Sequence, residues 1–327
     1  SHPDESDICV NLHLYLSAMS SEPTQTASGV PALQRLLARG RHALIDAPIE
    51  AALCQSFAVS KQADWPVAAF SCLGEHSAPD NGYWFYADPV HLVLQRDYFS
   101  LAHPAPLLLE PSESEALLDS LNQHFEPDGL RFFAGQSKRW YLRLSQTPEI
   151  STTLPAMAVG RDVRPFAPQG SGAARWDRLL NEMQMLLHEH PVNLQREARG
   201  ELPVNSLWLS GGGVLPQQIK TGYQTIWTDN TLVKGLAISA NVPCMPSPHS
   251  VEQVLNNSQG ETLLVLETLA QDWLLALTSA LRKGRIKTLS INLASSGQIA
   301  SVIIKRHDLW KFWRRSKSVE AYFSWQK

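Results

Sequence analysis

At 327 residues the chain exceeds the usual single-domain size, although one large α/β unit with an inserted subdomain also fits, and 44% apolar residues supply a real core. With 28 basic against 31 acidic residues the formal net charge is −3, which excludes a global field steering the protein toward nucleic acid or an anionic membrane. Any such binding has to come from a local patch.

The opening SHPDESDICV is acidic and leads into no long apolar run, which argues against a secretory signal, and the lack of a leading Met suggests a trimmed start. Ile8 to Leu16 alternates as a strand, and Val30 to Arg41 predicts a helix with Leu33, Leu36 and Leu37 on one face. DWPVAAFSCLG (64–74) is a short apolar element, followed by the turn SAPDNG and the strand-like YWFYADPVHLVLQ. Ser112 is the expected N-cap of the helix SESEALLDSLNQHF, and LRFFAGQSKRWYLRL reads as a hairpin. Past a stretch rich in proline and glycine (155–172), Ala173 to His190 predicts a helix carrying Trp176, Leu179, Leu180, Met183, Leu186 and Leu187 inward and ended by Pro191.

A polar crossover then leads into a buried strand that opens onto a turn at Gly211, Gly212 and Gly213. Thr262 to Glu267, Lys287 to Asn292 and Ser301 to Lys305 predict strands, with a helix at Trp273 to Arg282. The most apolar region, 262–281, is interrupted by Glu267, Gln271 and Asp272 and is too polar to span a bilayer. Cys9, Cys54, Cys72 and Cys244 are scattered without metal spacing, which suggests reduced thiols and a cytoplasmic protein. Strands alternating with helices favour a mostly parallel or mixed sheet with helices on its faces.

Several groups are chemically suggestive. A strand running into glycines offers free N–H groups to an anion, although tight turns use glycine for positive φ alone. Asn193, Arg196, Glu197, Arg199 and Asn205 either hold a ligand or pin the crossover. Lys138 and Arg139 suit a phosphate clamp, or else a solvated hairpin. His188 and His190 sit two apart, which on a helix sends them to different faces and favours a helix ending over a metal pair. Ser71 lacks a nucleophile elbow and reads as core. The tail KRHDLWKFWRRSK interleaves Lys305, Arg306, Lys311, Arg314, Arg315 and Lys317 with Trp310, Phe312 and Trp313, a mix suited to an acidic partner, nucleic acid or a membrane surface, or to an amphipathic helix docking its tryptophans.

HEHPVNLQREARGELPVNSLWLSGGG (188–213), with RWYLRL, ARWDRLLNEMQMLL, PALQRLLARGR, DWPVAAFSCLG and RHDLWKFWRR, resembles the RpfE-type regulatory protein family of proteobacteria. More distantly, the same stretches are similar to archaeal-type cofactor-independent phosphoglycerate mutases of the alkaline phosphatase superfamily. That resemblance implies an alkaline-phosphatase-like core from 1–80 and 201–327, with a cap inserted at 81–200. The mutases use two metals and a serine nucleophile. Against their motifs, the opening strand here ends in LYLSAM without an Asp-Gly pair, and Trp65 stands where the serine is expected. STTLPAM (151–157) and LETLAQDW (266–273) replace two metal motifs, and the phosphate contact corresponds to Lys138 and Arg139.

The resemblance therefore implies a non-catalytic regulatory or adaptor protein with no catalytic residue, no metal, no cofactor and no membrane span, whose tail binds a protein partner. Nucleic acid remains a second candidate for that tail. One alternative is a metal-dependent phosphatase or mutase with a relocated site at Arg139, Arg196, Arg199 and the Gly211 turn. The other is a sensor holding a small anionic metabolite at Lys138 and Arg139.

Overall fold

The computed structural model describes residues 9–16, 31–75, 79–103, 105–269, 271–295 and 297–323; residues 17–19 of the LYLSAM segment, Val30 and part of the SAPDNG turn lie outside them. The chain opens with β1 (Val10–Leu16), α1 (Pro31–Arg39), β2 (Arg41–Ile45) and α2 (Ile49–Ser56). It continues through α3 (Val67–Gly74), β3 (Tyr83–Val90), β4 (Leu92–Leu94), β5 (Phe99–Leu101), α4 (Pro111–Phe125), β6 (Leu130–Ala134) and β7 (Trp140–Leu144). Next come α5 (Ala173–His188), α6 (Pro191–Ala198) and β8 (Ser206–Gly213). It closes with β9 (Thr225–Thr228), α7 (Thr231–Ala240), β10 (Cys244–Met245), α8 (Val251–Asn256), β11 (Gly260–Leu266), α9 (Gln271–Lys283), β12 (Ile286–Ser295) and β13 (Gln298–Lys305). Two compact units result, Ser1–Ala58 with Gln218–Lys327, and Val59–Gln217.

The discontinuous unit holds a sheet of order β10-β9-β11-β1-β12-β13-β2 among the described residues. It is parallel from β10 to β12, whereas β13 and β2 run antiparallel to their neighbours. Central β1 alternates as the sequence predicts: Val10, Leu12, Leu14 and Leu16 are buried with the apolar faces of α1, α8 and α9. Each such side chain contributes about 1.5–3 kcal/mol of hydrophobic stabilisation. On the other face, Tyr223 and Phe57, just past α2, stack toward His13. Helices thus cover both faces of a mostly parallel sheet. The first helix stops at Arg39, two residues before its predicted end, because Gly40 lies flush on β13 and Arg41 begins the edge strand.

The inserted unit is built on an antiparallel sheet of order β6-β7-β3-β8 with a small β4-β5 ribbon. One face, with Phe85, Ala87, Phe132, Leu142, Leu207 and Leu209, packs on Leu117, Leu121 and Phe125 of α4 and on Trp176, Leu179, Met183 and Leu187 of α5. Leu180 and Leu186 are only partly buried at the margin of that stripe. The opposite face lies under α3. Because β8 pairs with β3, residues 201–217 belong to this unit rather than to the core, as do 59–80.

Three local expectations change. Glu110, not Ser112, caps α4, since Pro111 occupies the first helical position and Glu113 returns its carboxylate to the Glu110 N–H. Pro191 does not simply end a helix: α5 stops at His188, and His190 caps α6 by accepting from the Val192 N–H at 3.2 Å. The three glycines form no turn. They lie inside β8, fully buried, where Phe85 faces a bulge at Gly211 (φ +65°). Side chains of Val67, Phe85 and Pro66 occupy the space that Cβ atoms at Gly211, Gly212 and Gly213 would need.

Among the described residues no helix is long and apolar enough to cross a membrane. Cys54 and Cys72 are buried, Cys244 is half-buried and Cys9 is exposed, and all four are free thiols.

Candidate functional site

The cations expected to gather around a phosphate in the inserted unit are separated by its sheet. Arg139 precedes β7 and turns to the α3 face, where Nε donates to Asp88 Oδ1 at 3.1 Å and Nη2 donates to Oδ2. Its guanidinium lies over the Tyr86 ring, 3.6 Å from the centroid. The Asp88 side chain is 1% exposed and that of Arg139 28%. Burial pulls the guanidinium pKa down, but the carboxylate of Asp88 and the nearby Tyr86 and Tyr141 raise it above its ordinary value, so Arg139 stays charged. Lys138 is exposed at a positive-φ turn (φ +64°) and does not share that pocket.

Arg196 and Arg199 lie on the α4 side of the sheet. Arg196 donates from Nη1 to Glu113 at 2.7 Å and from Nε to the Leu202 carbonyl at 2.8 Å. Arg199 reaches the same carboxylate at 2.5 Å and Glu201 at 3.0 Å. Asn193 bridges the Leu187 carbonyl to the Val204 backbone, and Asn205 both donates to and accepts from Leu92. The polar set pins the crossover. Asp64 plays the same part for the glycine strand: it accepts from Thr152 N and Oγ1, at 2.8 and 2.5 Å, and from Gly212 N at 3.2 Å. His190 donates from Nε2 to Ser120 Oγ at 2.9 Å while Nδ1 caps α6, and burial lowers its pKa. Ser71 is buried against the Tyr86 hydroxyl.

Burial pushes the Glu113 carboxyl up, but the Glu110 N–H and the guanidinium groups of Arg199 and Arg196 outweigh it and hold the carboxyl below its usual range. A depressed folded pKa stabilises the protein above the unfolded carboxylate value, and that stability is lost as pH falls through the folded one. Glu113→Gln is therefore expected to lower stability by about 1–2 kcal/mol at neutral pH, with a loss that shrinks in acid. Urea midpoints for wild type and variant across the acid limb measure it; a pH-independent loss would refute the linkage.

Parallel sheets commonly bind ligands beyond the carboxyl ends of their strands. Here β9 is followed by Asp229, whose carboxylate lies 3.7 Å from Lys234 Nζ, and Asn230, which caps α7; β11 is followed by Glu267. Among the described residues no group of three or more His, Cys, Asp or Glu side chains is placed to hold a metal ion.

The tail does gather its cations. Arg306–Trp310 forms a short 3-10 helix rather than a longer amphipathic one, held by Asp308, which accepts from Lys305 N at 2.9 Å and Lys311 Nζ at 2.5 Å. Trp310, Phe312 and Trp313 are 72%, 76% and 67% exposed, so these aromatics are not docked on the sheet. Arg314 Nη1 donates to the Gly40 carbonyl at 3.0 Å, fixing the tail beside β2. Lys311, Arg314 and Arg315 then line, with Arg41, His42, Lys317 and Tyr322, a cleft of about 650 Å³. Arg306, Trp310 and Trp313 are not among its lining residues. Burial, together with Arg314 and Lys317, holds His42 below the usual imidazole range although its bond to the Leu37 carbonyl opposes this.

Sequence reasoning missed Arg41, His42 and Tyr322 in this cleft, and Asp88, Glu113 and Asp64 as buried anchors, whereas Lys317 was already among the tail cations it named. The only local signal was Arg41-His42 directly after Gly40, and one carboxylate inside the aromatic run YWFYADPV.

These features define an α/β protein with a mostly parallel sheet, an antiparallel inserted unit and a basic surface cleft. Residues 107–193 match the family model of 2,3-bisphosphoglycerate-independent phosphoglycerate mutase. The chain is 26% identical over 168 residues to that enzyme from Methanosarcina acetivorans, covering 49% of this chain and 42% of the relative. It is 36% identical over 111 residues to the Methanothermobacter thermautotrophicus phosphoglycerate mutase 2, covering 33% and 27%. Each alignment thus spans less than half the length of these curated relatives. A cofactor-independent phosphoglycerate mutase structure from Thermoplasma acidophilum aligns over 96% of this chain and 94% of that one at 15% identity, with a TM-score of 0.45. Over the stretches matched in sequence the chain is phosphoglycerate-mutase-like.

Proposed function

We propose that the chain is a non-catalytic regulatory or adaptor protein on this scaffold, as its resemblance to the RpfE-type family implies, and that it works by binding rather than turnover. One observation carries the reading: the nucleophile-loop position holds an indole, and Arg139, one of the two residues that match the mutases' phosphate contact, is tied up inside the inserted unit, while Lys138 is left exposed. Asp64 and the loop bearing Trp65 anchor Thr152 and the glycine strand, and Arg139 neutralises the buried Asp88. An indole carries no nucleophilic oxygen, and a guanidinium locked on an internal carboxylate cannot also clamp a transferring phosphoryl group.

Purified protein supplied with manganese, magnesium or zinc is expected to show neither phosphoglycerate mutase nor phosphatase turnover. Near-stoichiometric metal by plasma mass spectrometry together with turnover would overturn the reading.

A further inference from the structure

The discontinuous unit concentrates positive charge where the edge strand β2 meets the tail. Arg41, Lys311, Arg314, Arg315 and Lys317 line one cleft, and among the described residues no carboxylate lines it. Lys311 is compensated by Asp308. Among the described residues Arg41, Arg314 and Arg315 pair with no carboxylate, in a protein whose formal net charge is −3.

Aromatic surface accompanies the charge. Tyr322, itself only 8% exposed, lies against His42 with ring centroids 4.9 Å apart and planes tilted by 31°, and the two back the cleft wall. Just outside it, Trp310, Phe312 and Trp313 stand exposed in nearly consecutive positions, the last two edge to face at 5.5 Å. Soluble proteins seldom leave such a strip uncovered unless it meets a partner.

We propose that this cleft binds single-stranded nucleic acid, a ligand class that rests on the binding role proposed above. Guanidinium forks match phosphate oxygens in pairs, and every unpaired base offers a π-face to tryptophan, phenylalanine or tyrosine. Both elements are needed to use the whole surface. An acidic polypeptide would satisfy the cations and leave the aromatic strip without flat partners. A duplex hides its base faces and is read by a helix or ribbon placed in a groove, whereas the tail after Trp310 is irregular.

The test is fluorescence anisotropy of the full chain with a labelled short oligouridylate, run beside oligodeoxythymidylate to distinguish RNA from DNA. Binding to either polymer at low salt is expected, with log affinity falling against log salt at a slope of about −2 to −3, as for three or four neutralised phosphates. Arg41→Glu with Arg315→Glu is expected to weaken binding at least about tenfold with unchanged circular dichroism, since both side chains are exposed. Trp310→Ala with Trp313→Ala is expected to cost about five- to tenfold. If the double reversal fails to fold, Arg315→Ser alone is expected to lower both the affinity and the salt slope.

Absence of binding at low salt, indifference to the charge variants, or displacement by polyglutamate as effective as by unlabelled oligonucleotide would overturn the proposal; the last outcome would assign the cleft to acidic polypeptides. Mutase turnover would sink the non-catalytic reading and leave oligonucleotide binding standing, so the two failures are distinguishable.

Discussion

Replacing Arg139 with leucine is expected to destabilise the protein by about 3–5 kcal/mol at neutral pH, because it removes a guanidinium bonded to a fully buried carboxylate that has no other cationic partner among the described residues. The Asp88 side chain has water on almost none of its surface, and burial already pushes its carboxyl above the ordinary range against the pull of Arg139. Without that pull, Asp88 either remains charged in a dry site or takes up a proton. Either costs free energy that the unfolded chain does not incur. A folded pKa raised above the unfolded value favours folding at low pH and loses that contribution as pH rises, so the deficit of Arg139→Leu shrinks in acid. The double variant Asp88→Leu with Arg139→Leu should recover most of the loss, since apolar replacement of a whole buried pair is often neutral. Urea unfolding of wild type, both singles and the double forms the cycle. If Arg139→Leu costs less than about 1 kcal/mol, the pair is not the anchor described and Arg139 becomes available for a ligand.

This pair shows where sequence reading runs out. Arg139 was visible as a phosphate candidate because only its neighbour Lys138 was known; its true partner lies 51 residues earlier in a strand whose other residues are apolar or aromatic. Period-2 alternation located β1 and the β6-β7 hairpin, and helical periodicity located α4, α5 and α9, because burial of one face is written into consecutive residues. Pairings between distant segments are not. Nothing local says that β8 joins β3 instead of the parallel sheet, yet that choice moves residues 201–217 out of the core and turns an apparent ligand loop into a buried strand. The tail cleft was half legible. Its own cations were evident, while Arg41 and His42 are brought beside them by β2 pairing with β13 at the sheet edge.

Gly211 carries the second large expected effect. It sits at a bulge with φ +65°, a conformation costing an L-residue roughly 1–2 kcal/mol and a β-branched one more. A Cβ there would also run into Val67 at the start of α3, adding an overpacking cost of about 1–3 kcal/mol. Gly211→Val should therefore destabilise by about 3 kcal/mol or more. Gly200 provides the control, since it shares the left-handed backbone (φ +75°) but has nothing within 4 Å of the place a methyl group would take. Gly200→Ala should show the backbone cost alone, about 1 kcal/mol, and Gly211→Ala the backbone cost plus the clash. Equal losses at the two sites would mean that α3 can shift away from β8 freely. In that case the glycine run would be open to an approaching anion after all, and the ligand loop implied by the sequence would return as a live reading of this segment.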